Sequence, residues 1–280
     1  MGFCFGVRRA LKIVEQAAAE HPGLETLGAI VHNPQVVSRL ERQGVKVIRE
    51  LGEAQGEVVV IPSHGAAASV FAQLRERGLR MVDATCPFVR QAQKAARELA
   101  EAGFAVVVFG DAQHPEVRGV LGWAEEKGMA TLEEEEVLKL RPLPRRLGIL
   151  SQTTQSPAQF SRFVSRCAEA LLPRLKALRV VNTICDATRQ RQSAALELAR
   201  KADLVLVIGG KNSSNSRRLA EICSAAGVET HLIETAAELE ESWLRQKRYI
   251  GVTAGASTPD EAIREVIQWL ERFAQLQGQA

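Results

Sequence analysis

The sequence predicts an α/β fold built from three related units, each a mainly parallel sheet covered by helices. Three observations predict it. Short runs that are apolar throughout, such as Val58–Ile61, Phe104–Phe109 and Leu204–Ile208, alternate with stretches of helical periodicity. That alternation is the pattern of parallel strands buried on both faces. Cys4, Cys86 and Cys185 each head an amphipathic stretch, and 28 residues on from each stand His32, His114 and Ser213 (4+28, 86+28, 185+28). Equal offsets mark an internal repeat whose period is one small α/β unit. Three thiols at one place in such a repeat would gather about a pseudo-threefold axis, around a shared central cavity.

The first unit (5–85) opens with a helix, since Val7, Ala10, Leu11, Val14 and Ala17 fall on one face. A strand over Leu27–Val31 is expected to end at His32-Asn33-Pro34. A short helix from about Gln35 leads to a strand at Val45–Ile48. A second buried strand, Val58–Ile61, ends at Ser63-His64-Gly65; a helix over about 67–76 and a strand at Leu79–Val82 close the unit. The second unit (86–184) repeats the order. Val89, Ala92, Ala96 and Leu99 line a helix, Phe104–Phe109 leads to His114-Pro115-Glu116, and Leu147–Leu150 leads to Ser151-Gln152-Thr153-Thr154. A helix and a strand at Leu178–Val181 follow. In the third unit (185–280, with residues 1–4), Ala195, Leu198, Ala199 and Ala202 align on a helix. Leu204–Ile208 leads to Lys211-Asn212-Ser213-Ser214-Asn215, and Tyr249–Val252 leads to Ala254-Gly255-Ala256-Ser257. The repeat also places a strand ahead of Cys4, which would belong to the third sheet and is expected upstream of Met1. In parallel sheets, ligands sit beyond the carboxyl ends of the strands, at the N-termini of the helices that follow. Every polar cluster named here lies at such an end.

Composition excludes several classes. The 280 residues are 46% hydrophobic and 25% charged with a net charge of +3, which argues for no nucleic-acid and no membrane partner. The longest apolar runs are too short to span a bilayer. Five cysteines, an odd count without close spacing, point to reduced thiols in the cytoplasm rather than a disulfide framework.

Cys167 and Cys223 align with apolar neighbours and read as core residues. Cys4, Cys86 and Cys185 stand at helix starts, where the dipole favours thiolate. The absence of a C-x-x-C pair disfavours zinc. An iron–sulfur cluster on three cysteines would leave one iron open to substrate. A zinc hydrolase using three thiolates and a redox sensor that binds without turnover stand as alternatives. His21 and His231 read as surface histidines, whereas His32, His64 and His114 recur at strand ends. With Ser213, Ser214, Asn215 and Ser257 they offer donors suited to an anion such as a diphosphate. No nucleotide-triphosphate loop is present. Glu116 is a candidate proton donor or a helix-start acid, Lys211 a phosphate contact or a surface ion pair, and Glu133–Glu136 a solvated loop or helix start.

Taken together, these residues resemble one family. Gly2-Phe3-Cys4-Phe5-Gly6-Val7, Val31-His32-Asn33, Ser63-His64-Gly65, Asp83-Ala84-Thr85-Cys86-Pro87, His114-Pro115-Glu116-Val117, Gln152-Thr153-Thr154, Lys211-Asn212-Ser213-Ser214-Asn215-Ser216 and Val252-Thr253-Ala254-Gly255-Ala256-Ser257 resemble the 4-hydroxy-3-methylbut-2-enyl diphosphate reductase family. That is the last enzyme of the methylerythritol phosphate route to isoprenoids. The resemblance runs from residue 2 to 257 and implies a cloverleaf of three α/β domains around a [4Fe-4S] cluster on Cys4, Cys86 and Cys185. It implies that His32, His64, His114, Ser213, Asn215 and Ser257 bind the diphosphate, with Ser214 and Thr153 completing the pocket. It further implies substrate oxygen on the unique iron, protons relayed by Glu116 and Thr153, and electrons from a flavodoxin or ferredoxin. Gly210 departs from the family's usual Ser, and Ala66–Ala68 stand where a proline is common.

Overall fold

Cys4 is followed at once by helix α1 (Phe5–Glu20), whose Val7, Ala10, Leu11, Val14 and Ala17 are buried along one face. Strand β1 (Glu25–Leu27), helix α2 (Pro34–Arg42), strands β2 (Lys46–Ile48) and β3 (Val58–Ile61), helix α3 (Ala68–Glu76) and strand β4 (Arg80–Asp83) come next. The strands pair in parallel in the order β2-β1-β3-β4. After Cys86 the order begins again with α4 (Pro87–Glu101), β5 (Ala105–Phe109), α5 (Pro115–Leu121), β6 (Gly128–Thr131), α6 (Glu134–Leu138), β7 (Arg146–Ser151), α7 (Pro157–Leu171) and β8 (Ala177–Val181). That sheet runs β6-β5-β7-β8. After Cys185 come α8 (Asp186–Ala199), β9 (Leu204–Ile208), α9 (Ser214–Ala225), β10 (Glu229–Ile233), α10 (Glu241–Leu244), β11 (Ile250–Ala254) and α11 (Asp260–Gly278). Among the described residues the third sheet has three strands, β10-β9-β11. The protein is thus an α/β fold of three parallel sheets with one shared strand order. This computed structural model describes residues 2–125 and 128–278.

Packing divides the chain into two compact units. The larger comprises Arg8–Ile30 and Leu40–Cys185 and holds the first two sheets. The smaller comprises Met1–Val7, Val31–Arg39 and Asp186–Ala280 and holds the third. In the larger unit, β5 and β7 are buried on both faces. Val106, Val108 and Leu150 pack with α4 and α5; Val107, Leu147 and Ile149 pack with Phe160, Phe163 and Cys167 of α7. Each such side chain stabilises the fold by about 1.5–3 kcal/mol when fully buried. In the smaller unit β9 is buried throughout, with α8 and α9 on one side and α11 on the other. Trp123, which follows α5, fixes the loop that carries His64: its indole N–H donates to the Ala66 carbonyl at 3.0 Å, and its ring meets Phe71 edge-on at 5.7 Å.

The repeat extends to side-chain volume. Thirteen residues after Cys86 and Cys185 stand Leu99 and Leu198, and each covers a glycine on the facing strand. A Cβ on Gly148 would lie 2.8 Å from Leu99, and one on Gly251 2.8 Å from Leu198. Thirteen residues after Cys4 stands Ala17 (4+13, 86+13, 185+13). By register, Gly148 pairs with Val106 and Gly251 with Val205, while the matching place on β3 is Val58, one step before the Glu25–Val59 pair. Small helix residue with large strand residue, and the reverse, fill one layer at similar volume. Gly148→Val is therefore expected to cost about 1–3 kcal/mol by overpacking. Adding Leu99→Ala should restore much of the loss, as a double-mutant cycle in denaturant melts will show.

Two expectations differ from the structure. The first strand stops at Leu27 instead of Val31, because Gly28 adopts a left-handed φ of +81° and turns its N–H to the Ile48 carbonyl at 2.7 Å. Ile30 and Val31 stay buried in an irregular segment. Strand β6 gave no sequence signal: Gly128–Thr131 is four half-buried residues without alternation. Glu133–Glu136 resolves as the start of α6, with Glu133 at its N-cap.

Candidate functional site

In the larger unit, Cys86 and Cys185 each directly precede a helix, and both are half-buried thiols outside any disulfide. Each is tied through its backbone to the loop after a strand: the Cys86 N–H donates to the Ser63 carbonyl at 2.9 Å, and the Cys185 N–H to the Thr153 carbonyl at 3.1 Å. Ser63 itself donates its hydroxyl to the Ile30 carbonyl at 2.6 Å. His64 Nδ1 lies 3.1 Å from the Gly65 carbonyl. A carbonyl only accepts, so the proton sits on Nδ1, and Nε2 can donate only when the ring is charged. Gly65 takes φ +73° beside Gln93, Thr85 and Val89, and a side chain there would collide with Gln93.

His114 is the N-cap of α5. Its Nδ1 accepts the Glu116 N–H at 3.1 Å, so a neutral ring carries its proton on Nε2 and presents a donor there. Glu116 lies in the first turn of α5, yet its carboxylate does not serve the helix's own N–H groups. Its carboxylate turns to Thr153, accepting the backbone N–H at 2.7 Å on Oε1 and the hydroxyl at 2.9 Å on Oε2. Burial raises the carboxyl above the usual glutamate range, and the two bonds from Thr153 offset part of that rise. The pair is a proton-holding group whose far side is a hydroxyl.

In the smaller unit, the Cys4 N–H donates to the Ala256 carbonyl at 3.0 Å, fixing the third half-buried thiol beside the loop after β11. The next residue, Ser257, donates to the His32 carbonyl at 3.4 Å. Gly210 backs the same carbonyl: a Cβ there would stand 2.5 Å from it, so this loop is built around glycine. Burial and the nearby Arg217 cation hold the His32 imidazole below its ordinary value, hence neutral at pH 7. Ser213 caps α9 by accepting the Ser216 N–H at 3.3 Å, which leaves its own O–H to donate outward. Asn215 is buried, and neither atom of its amide has a hydrogen-bond partner among the described residues. An unpaired buried amide at the start of a twelve-residue helix is suited to an anion.

The structure thus gathers Cys4, His32, Ser213, Ser214, Asn215 and Ser257 in one unit and Cys86, Cys185, His64, His114, Glu116 and Thr153 in the other. No group of three or more His, Cys, Asp or Glu side chains placed to hold a metal ion occurs among the described residues. Cys167 and Cys223 are core residues with thiols pushed up to about 11 by burial. Lys211 pairs with Glu238 at 2.5 Å, the surface ion-pair reading. His231 stacks on Trp243 with centroids 3.8 Å apart and binds Glu229 at 2.9 Å. Arg9 and Arg191, which the sequence did not single out, donate to the carbonyls of Thr85 and of Gly2 and Ala254. Their only sequence signal is an arginine five or six places after a cysteine. Among the described residues, no helix is long and apolar enough to cross a membrane.

A family model described as LytB protein matches residues 1–271. The chain is 48% identical over 274 residues to a 4-hydroxy-3-methylbut-2-enyl diphosphate reductase of Dehalococcoides mccartyi (strain CBDB1), covering 98% of this chain and 96% of the relative. It is 47% identical over 266 residues to the enzyme of that name from Pelobacter propionicus, covering 95% and 93%. Among solved structures it is similar to the E-1-hydroxy-2-methyl-but-2-enyl-4-diphosphate reductase of Plasmodium falciparum, with a TM-score of 0.90 and 28% identity over 95% of this chain and 84% of that one. A second structure, of an (E)-4-hydroxy-3-methyl-but-2-enyl diphosphate reductase described as the terminal enzyme of the non-mevalonate pathway, matches with a TM-score of 0.68 and 40% identity, covering 97% and 96%.

Proposed function

Because the chain belongs to the LytB family, we propose that it reductively removes the hydroxyl of 4-hydroxy-3-methylbut-2-enyl diphosphate, the compound for which its relatives are named. It is an oxidoreductase, a reductase of that diphosphate. One carbon–oxygen bond breaks, two electrons and two protons enter, and water leaves. Protonation at one end or the other of the allyl group gives isopentenyl or dimethylallyl diphosphate. The observation that carries this reading is the buried Glu116–Thr153 pair. Hydroxide is a poor leaving group, so the site needs an acid that holds its proton more tightly than a free carboxyl, and burial, which raises Glu116 above the usual glutamate range, gives it that property. A protonated Glu116 donates from Oε2 to Thr153 Oγ1, and the Thr153 hydroxyl then passes its own proton to the oxygen that leaves.

A [4Fe-4S] cluster on Cys4, Cys86 and Cys185 would supply the two electrons and a Lewis-acid iron free of protein ligands. The donor chemistry fits it: three reduced thiols, half-buried and each directly before a helix, with the other two cysteines committed to cores. The electrons come from a small carrier such as a flavodoxin or ferredoxin, in the cytoplasm. Residues 5–85, residues 86–184, and residues 185–280 with 1–4 form one domain each.

Diphosphate recognition is assigned to His32, His64, His114, Ser213, Ser214, Asn215 and Ser257. His114 and the neutral His32 donate one N–H each, His64 adds Nε2–H when its ring is protonated, and the α9 N-terminus adds hydroxyl, amide and dipole. Such contacts lie away from the breaking bond and serve to hold it in place. Asn215→Leu is expected to raise KM by about tenfold or more, the loss of a hydrogen bond to a charged group. The same change should leave the melting temperature at or above wild type, since it removes two unpaired buried polar atoms. Steady-state kinetics with calorimetry will check both. The function itself is tested by anaerobic purification, iron and sulfide analysis, and single-turnover conversion of the diphosphate by chemically reduced protein. Protein with a full complement of iron and sulfide that leaves the substrate intact would refute it.

A further inference from the structure

Each of the three thiols stands on a short irregular segment, and such segments need tethers if a ligand set is to form without a large ordering cost. For Cys86 and Cys4 a tether comes from a helix other than the one the cysteine heads. Arg9, on α1 five residues after Cys4, donates from Nη1 to the Thr85 carbonyl at 3.0 Å, one residue before Cys86. Arg191, on α8 six residues after Cys185, donates from Nη2 to the Gly2 carbonyl at 2.6 Å and from Nη1 to the Ala254 carbonyl at 3.1 Å. The second arginine therefore clips the residue two before Cys4 to the end of β11.

We propose that Arg9 and Arg191 are positioning residues, each a guanidinium clamp on the backbone that presents a thiol heading a different helix: Arg9 for Cys86 and Arg191 for Cys4. The purpose of the clamps rests on the reading of these thiols as cluster ligands; their geometry does not. At Arg191 the planar fork reaches two carbonyls at once, which a lysine cannot reproduce, while Arg9 holds one. Bonds from a charged donor are also stronger than neutral ones. The two clamps carry unequal shares. The Cys86 segment has further ties: Cys86 N–H to Ser63, Thr85 N–H to Asp83 Oδ1 at 2.9 Å, and an ion pair from Asp83 to Arg90. At Cys4 the Arg191 fork makes two bonds beside the N–H bond to Ala256, and Gly2 at φ +84° has the most backbone freedom to lose. Arg191 is the stronger determinant.

The test is site-resolved alkylation of the full chain, freed of metal by chelation under reducing conditions and read by mass spectrometry. Arg191→Gln is expected to speed alkylation of Cys4 by about tenfold or more, since the change removes the charge from both bonds of the fork that limits local opening, with Cys86 unchanged. Arg9→Gln is expected to speed Cys86 by a smaller factor with Cys4 unchanged. Should a Gln variant fail to fold by circular dichroism, Arg191→Lys and Arg9→Lys are read for the same reciprocal selectivity. Equal rates in all variants, or equal acceleration of both thiols by either change, overturn the proposal. Iron and sulfide uptake separates it from the cluster reading. Wild type that takes up neither sinks the ligand role while selective alkylation still supports the clamps; normal uptake with unselective alkylation sinks the clamps alone.

Discussion

Glu116→Gln is expected to slow turnover by about 10²–10⁴-fold, the range for loss of a positioned acid, while leaving the fold intact. Glutamine has the same length and can keep both contacts: its oxygen accepts the Thr153 N–H now made to Oε1, and its amide nitrogen donates to the Thr153 hydroxyl now bound to Oε2. What it cannot do is release a proton. The carboxyl's raised folded value has a second consequence. The unfolded chain gives up this proton in the ordinary glutamate range, and the folded chain holds it to higher pH. Between those two points the folded state binds more protons, so stability falls as pH rises, and the full cost remains above the folded value. The Gln variant lacks that cost. At pH values above the ordinary glutamate range its melting temperature should equal or exceed wild type, and its stability should fall less steeply as pH rises through that range and beyond it. Single-turnover rates and thermal melts over that range check both halves. A wild-type rate in the variant would remove Glu116 from the proton path.

Cys86→Ser is expected to abolish iron retention and turnover together, and Cys4→Ser and Cys185→Ser to do the same. A hydroxyl is a hard, weakly acidic donor that does not replace thiolate on iron–sulfur sites. Cys167→Ser and Cys223→Ser provide the contrast. Cys167 lies among Phe109, Phe160 and Phe163, and Cys223 among Ala195, Leu219 and Val207. Their thiols, held near 11, stay protonated and inert. Serine there buries a hydroxyl in apolar surroundings at a cost of about 1–3 kcal/mol and should leave iron content unchanged. Iron and sulfide per chain, measured on anaerobically purified variants, divide the five cysteines into these two sets. Wild-type iron in Cys86→Ser would end the three-thiol reading.

Much of the fold was legible because its central strands are apolar without interruption. The runs Val58–Ile61 and Leu204–Ile208 coincide with β3 and β9. The illegible parts are those set by single backbone conformations or by partial burial. Gly28 ends β1 four residues early through a left-handed φ, and β6 at an edge carries no pattern. For the candidate site, residue identities were legible in the motifs, but the bonds that give them their chemistry were not. The His114 tautomer depends on the Glu116 N–H, the Glu116 proton on burial beside Thr153, and the His32 loop on the empty space above Gly210. Arg9 and Arg191 act through backbone carbonyls, which leave no trace in residue type.

The hydrogen bond from Glu116 N–H to His114 Nδ1 joins two tasks that are usually separable. It starts α5 and, in the same act, selects which nitrogen of the imidazole faces a ligand. A residue in such a position is hard to replace gradually. Asparagine could begin the helix but would not reach as far, and glutamine would reach but begin it poorly. Histidine meets both demands with one rigid ring.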